Sequence, residues 1–134
     1  MPFKVLLDSN FLMLFPIFHG DLFEELDKVV NRKTEKIVII PVYEELRRIS
    51  LEGDTRSKKQ AEMVLKFIEK GKFRFVNVEL KPLEMVDELI ARTAETWKCF
   101  VATNDRELRK RLTKLGVAIV YLRQRNRLEA RGKL

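Results

Sequence analysis

The pattern that most limits how this chain can fold is its alternation between short unbroken apolar runs and longer amphipathic stretches. Phe3 to Leu7, Ile37 to Ile40, Phe100 to Ala102 and Val117 to Leu122 are each too short for a helix and, Lys4 aside, apolar throughout. Strands buried on both faces read this way, and they belong to the interior of parallel sheets. Parallel neighbours cannot be joined by a tight turn, so the stretches between them must cross over, most simply as helices. The expected class is α/β: a three-layer α/β/α sandwich around a central, mostly parallel, five-stranded sheet.

The crossovers carry helical periodicity. Phe11 to Phe18 reads as a short buried helix broken by Pro16. Gly20 and Asp21 open a helix through about Asn31, with Leu22, Phe23, Leu26, Val29 and Val30 as its apolar face. Further helices are expected over Val42 to Leu51, Thr55 to Lys70, and from Pro82 to about Trp97. Phe73, Phe75 and Val76 suggest a half-exposed fifth strand. After Phe100 to Ala102 come Thr103, Asn104 and Asp105, then a basic helix stopped by Gly116. Asn104 with Glu107 has capping-box spacing, which puts Asp105 in the first turn beyond a buried strand's carboxyl end. Ligands of open α/β sheets bind there.

A chain of 134 residues is one domain that can bury roughly two thirds of its unfolded surface. The apolar N-terminus is interrupted by Asp8 and Asn10 and shows no cleavage site, so neither a signal peptide nor a membrane span is expected. One cysteine excludes an internal disulfide and the common zinc patterns, and points to the cytoplasm. The net charge of +7 is clustered. Arg106, Arg109, Lys110, Arg111 and Lys114 crowd one helix, while Arg123, Arg125, Arg127, Arg131 and Lys133 crowd a tail (123–134) expected to be partly disordered. Such clusters suit a polyanion, nucleic acid above all. The apolar segment Phe11 to Phe18 and exposed aromatics suit a homodimer.

Most carboxylates only solvate a face, so the informative ones are those out of place. Asp8 follows an apolar strand directly, and Asp105 holds the equivalent place on a later one. Taken singly, each reads as a turn or cap residue. Glu45 lies three residues after Val42 and four before Ile49, at the border of the buried stripe, while Glu44 faces Arg47 and Arg48. Asp87 borders the stripe of Leu83, Ile90 and Ala94, while Glu88 lines up with Arg92. Four half-buried carboxylates meeting at one sheet edge would raise one another's pKa values unless a cation neutralised them. Oxygen donors without His or Cys select Mg²⁺ or Mn²⁺ over zinc. The lone His19, beside Gly20, reads as structural or solvent-exposed.

The segments KVLLDSNFLM, EELRRI, DELIARTA and VATNDRELRKRL, in this order, resemble those of PIN-domain nucleases over essentially the whole chain. The last segment is most similar to single-domain PIN proteins of the ribosomal RNA processing branch, and more distantly to VapC-type toxins. The resemblance implies a PIN domain over 1–122 and a metal-dependent endoribonuclease using Mg²⁺ or Mn²⁺. It matches Asp8, Glu45, Asp87 and Asp105 to the family's acidic quartet, with Glu44 as the alternative to Glu45. Asn10 and Thr103 match polar residues that orient the acids or the substrate. Hydrolysis by in-line attack of an activated water would leave 5′-phosphate and 3′-hydroxyl ends. Arg106, Arg109 and Lys110 would hold the backbone of single-stranded or looped RNA, with Tyr43 or Trp97 available for stacking. Partners implied include a protein inhibitor, as in toxin–antitoxin pairs, or a processing complex. A response-regulator receiver would need paired acids after the first strand, and a haloacid-dehalogenase-type phosphatase an aspartate where Asn10 stands. A PIN-like RNA-binding scaffold without activity would show the same basic surfaces.

Overall fold

The computed structural model describes residues 3–124 and 127–132. Its centre is a sheet of six strands, one more than expected. The strands are β1 (Phe3–Leu7), β2 (Thr34–Ile39), β3 (Arg74–Val76), β4 (Phe100–Ala102), β5 (Ile119–Gln124) and β6 (Arg127–Arg131). They lie in the order β3-β2-β1-β4-β5-β6. The first five are parallel and β6 runs antiparallel to β5. The helices are α1 (Ser9–Leu12), α2 (Leu22–Val30), α3 (Ile40–Glu52), α4 (Thr55–Lys70), α5 (Val86–Trp97) and α6 (Arg106–Lys114). They flank the sheet in groups, α1 on α3 and α3 against α4, with α5 packed on α6. This is the three-layer arrangement expected. No helix among the described residues is long and apolar enough to cross a membrane.

The central strands are as dry as their composition demands. Val5, Leu6, Leu7, Val101 and Ala102 are buried, as are Leu46, Leu89, Ile90, Leu108 and Leu112 from the helices. Phe11, Leu12 and Phe15 are also buried within this one chain, so most of the segment read as a dimer surface is spent on the core.

Departures from the sequence reading have local causes. The extra strand falls in the basic tail, where Leu128 turns into the core and alternates with charged neighbours that hide the pattern. Arg125 and Lys133 of that tail lie outside the described residues. Around Pro16 the expected helix shrinks to α1 and then continues as tight turns. Strand β2 begins earlier than its apolar run because Asp27 of α2 accepts hydrogen bonds from the backbone and hydroxyl of Thr34 and from the Lys36 ammonium. That contact lets a lysine be buried.

Helix α5 starts at Val86, not at Pro82. Lys81 to Glu84 form a turn instead, with Leu83 at φ 65°. The Arg92 guanidinium grips both Glu84 oxygens at 2.9 Å and, with the Lys81 amide, holds that carboxyl down at a pKa of about 2.

Candidate active site

The site is assembled where β1 and β4 end side by side. Asp8 continues β1, and its amide donates to Ala102 of β4 (3.0 Å). Its side chain accepts from the Ser9 amide (2.8 Å) and so caps α1. The second Asp8 oxygen accepts the hydroxyl proton of fully buried Thr103 (2.7 Å). The same Thr103 oxygen accepts from the Asp105 amide (3.0 Å), so one hydroxyl joins the two aspartates. Asn10 supports the opposite side, its carbonyl accepting from the Asn104 amide (3.0 Å) and lying 3.3 Å from the Thr103 hydroxyl.

Asp105 is the N-cap of α6 rather than a residue of its first turn, and it accepts from the Glu107 and Leu108 amides. Asn104, expected to be that cap, instead accepts from the Leu122 amide of β5 (2.8 Å). Both aspartates therefore sit at helix N-termini, where backbone dipoles favour negative charge. Glu45 reaches the site from α3, half-buried while Glu44 is exposed, as the helical phase requires. The Ser9 hydroxyl donates to Glu45 at 2.5 Å. The sequence reading does not single out Ser9, although its place between Asp8 and Asn10 at a strand end is a signal for it.

Electrostatics mark Asp8 as the anomalous group. Burial raises its pKa from 3.8 to about 6, against the lowering effect of its bonds from Thr103 and Ser9. The charges of Glu45 and Asp105 push it the same way as burial, so these three carboxylates act on one another. Asp87 is not among the main causes of that shift. It lies at the start of α5, half-buried while Glu88 is exposed, with its carboxylate 3.8 Å from the Arg111 guanidinium of α6. Among the described residues no three acidic, histidine or cysteine side chains stand close enough together to hold a metal ion, so the expected quartet is not gathered into one ready-made site. Each carboxylate rests on protein donors instead.

Beside the site, Asp87, Glu107, Lys110, Arg111, Lys114 and Leu115 line a groove of about 390 Å³. Of the three basic residues singled out from sequence only Lys110 lines this groove, and the three differ in their surroundings. Arg106 is exposed with no acidic partner among the described residues, and Lys110 pairs loosely with Glu107 (3.9 Å). Arg109 packs over the Tyr121 ring, 4.4 Å from its centroid. His19 is exposed. Trp97 lies partly buried with Lys4 over its ring, and Tyr43 meets Phe75 edge-on.

The pattern of the family described as PIN like domain matches residues 5–125. The chain belongs to the PIN-like domain family. Among curated proteins it is 28% identical over 132 residues to ribonuclease VapC4 of Methanocaldococcus jannaschii, covering 97% of this chain and 98% of that one. Among solved structures it resembles the PIN domain endonuclease Utp24, with a TM-score of 0.80 at 24% identity. That likeness covers 99% of this chain and 94% of the other. In this PIN-like chain the closing antiparallel strand β6 lies beyond the stretch that the family pattern covers.

Proposed function

We propose that this PIN-like protein is a metal-dependent endoribonuclease that cuts single-stranded or looped RNA. The observation that carries the reading is the junction at Asp8. A buried carboxylate is held under the influence of Glu45 and Asp105 at the carboxyl ends of parallel strands, in a chain whose curated relative is named a ribonuclease.

The donor set fits a hard cation. Every candidate ligand is a carboxylate oxygen, and Mg²⁺ is commonly held by one or two carboxylates while keeping several waters, so no preformed cage is required. Asp8, Glu45 and Asp105 would hold it, with Asp87 joining from α5. Mg²⁺ or Mn²⁺ bound there would supply an activated water and neutralise charge on the scissile phosphate.

The chain's own residues have distinct tasks. Thr103 fixes the Asp8 carboxylate and the Asp105 backbone relative to each other, and Ser9 orients Glu45. Asn10 holds the backbone at Asn104, keeping the start of α6 against the end of β1. Arg106 and Lys110 would take the phosphates flanking the cut, through contacts that carry charge but no base information.

The test compares wild type and Asp8→Asn on single-stranded RNA with Mn²⁺ or Mg²⁺, and with chelator. Wild type should cleave only with metal, leaving 5′-phosphates, and the variant should bind RNA without cutting it. Equal cleavage by both would assign the activity to a contaminant. Absence of cleavage by either, with salt-dependent binding retained, would make the protein an RNA-binding scaffold.

A further inference from the structure

At the end of the sheet away from the carboxylates lies a groove of about 1130 Å³ that plays no part in the reading above. It is built where β2 begins: Thr34 pairs with Phe3, so this is the amino end of β1, whereas Asp8 follows its carboxyl end. Pro16, Phe23, Met63 and Phe67 supply an apolar floor. Met63 and Phe67 are more than a third exposed on α4, which is unusual for such side chains on neighbouring turns of one helix. The opening exceeds the usual range for a small-molecule cleft, roughly 300–1,000 Å³, and suits a segment of polypeptide.

The charges around the floor are unbalanced in a specific way. Every carboxylate lining the groove already has a partner. Asp21 caps α2, Glu24 lies 3.8 Å from Lys28, Asp27 holds Lys36 and Thr34, and Glu35 pairs with Arg74. The exposed lysines Lys33, Lys66, Lys70 and Lys72 line the same groove and have no acidic partner among the described residues. An apolar trough rimmed by four uncompensated ammonium groups selects a partner that is apolar on one side and acidic on the other.

Two other occupants fit less well. RNA bases would need free aromatic faces to stack on. Here the rings are committed to one another: Phe23 packs on Phe15 (5.1 Å), Phe73 (4.9 Å) and Phe67 (6.4 Å, interplanar angle 14°). A second copy of this chain, itself at +7, would face the same lysines with lysines across a symmetric contact.

We infer that this groove docks an acidic amphipathic segment of a partner protein, its apolar side on Phe23, Met63 and Phe67 and its carboxylates on Lys66, Lys70 and Lys72. Because the groove opens at the opposite end of the strands from Asp8, the docked partner leaves the carboxylate site open. The partner tethers the protein rather than plugging its site.

The experiment uses the whole protein and a fluorescent synthetic helix of about five turns, with leucines along one face and glutamates elsewhere. A matched peptide with lysines for glutamates and a single-stranded RNA serve as controls. Anisotropy should show the acidic peptide binding, more weakly as salt rises, with no binding of the basic peptide. Lys66→Glu/Lys70→Glu should weaken it about tenfold, and Met63→Ser should weaken it at unchanged salt dependence, both variants keeping the wild-type melting temperature. Asp8→Asn should bind the peptide as wild type does, so the result stands whether or not the protein cuts RNA. Failure of the acidic peptide to bind, or equal binding by the groove variants, would overturn the inference. Displacement of the peptide by RNA would assign the groove to nucleic acid. A wild-type dimer that Lys66→Glu/Lys70→Glu turns into a monomer would assign it to a second copy.

Discussion

At the scale of single residues, the chain's chemistry is concentrated in one misplaced proton equilibrium. With a folded pKa near 6 against 3.8 when unfolded, Asp8 holds a proton in the native state where the unfolded chain has lost it. The sign follows directly: the native state is favoured below the unfolded value, and that advantage is lost as pH rises through about 6. Two pKa units correspond to about 3 kcal/mol. Urea unfolding in chelator, from pH 4 to pH 7, should show wild type losing up to that much stability relative to Asp8→Asn. Differencing against the variant removes the opposing contribution of carboxylates such as Glu84, whose lowered pKa acts in more acidic solution. A difference that grows with pH in favour of wild type would contradict the burial argument. Helical phase made such residues legible: Glu45 and Asp87 are half-buried while Glu44 and Glu88 are exposed. The partners of these residues were not, because no sequence spacing encodes the Ser9 bond to Glu45 or the approach of Arg111 to Asp87.

At the scale of elements, the start of α6 shows one residue serving both fold and site. Asp105 caps the helix by accepting from two amides, a role that asparagine fills equally well and alanine cannot. Asp105→Asn should therefore keep thermal stability while losing metal-dependent cleavage, whereas Asp105→Ala should also lose about 1 kcal/mol of stability. Loss of cleavage only together with stability would mean that Asp105 serves the helix and not the chemistry. The same boundary shows where sequence reasoning slips. Asn104 and Asp105 are both good caps, and only the long-range bond from Leu122 to Asn104 decides between them. Pro82 looked like a helix opener, but the Arg92 clamp on Glu84 fixes a turn and delays α5. By contrast α4 spans the expected Thr55–Lys70, since Asp54 caps it by accepting from the Ser57 amide and Gly71 ends it. Strand β6 stayed hidden because its inward residues are only Leu128 and Ala130. Truncating Leu128, 8% exposed and packed in the core, to alanine should cost about 2 kcal/mol in urea unfolding and bare the edge of β5.

At the scale of the whole molecule, a charge of +7 attracts any polyanion, so affinity alone would say little about where the proposed RNA substrate lies. The salt dependence says more, because each phosphate contact on a single strand contributes about 0.7 to the slope of log K against log salt. Arg106 and Arg109 lie on one helix next to the site, yet of the two only Arg106 is exposed without an acidic partner among the described residues. Arg109 is laid over Tyr121, itself 5% exposed, with Arg131 also 5.3 Å from that ring. Its charge is committed to holding α6 on the sheet, an interaction worth about 1 kcal/mol when partly desolvated. Measured on the Asp8→Asn background, which the proposed function expects to bind RNA without cutting it, Arg106→Gln should lower the salt slope by about 0.7 with no change in melting temperature. Arg109→Gln should do the reverse, lowering the melting temperature and leaving the slope in place. If both lower the slope equally, RNA crosses α6 over Tyr121. The strand would then run toward β5 and β6 rather than along the groove beside Asp87 and Arg111.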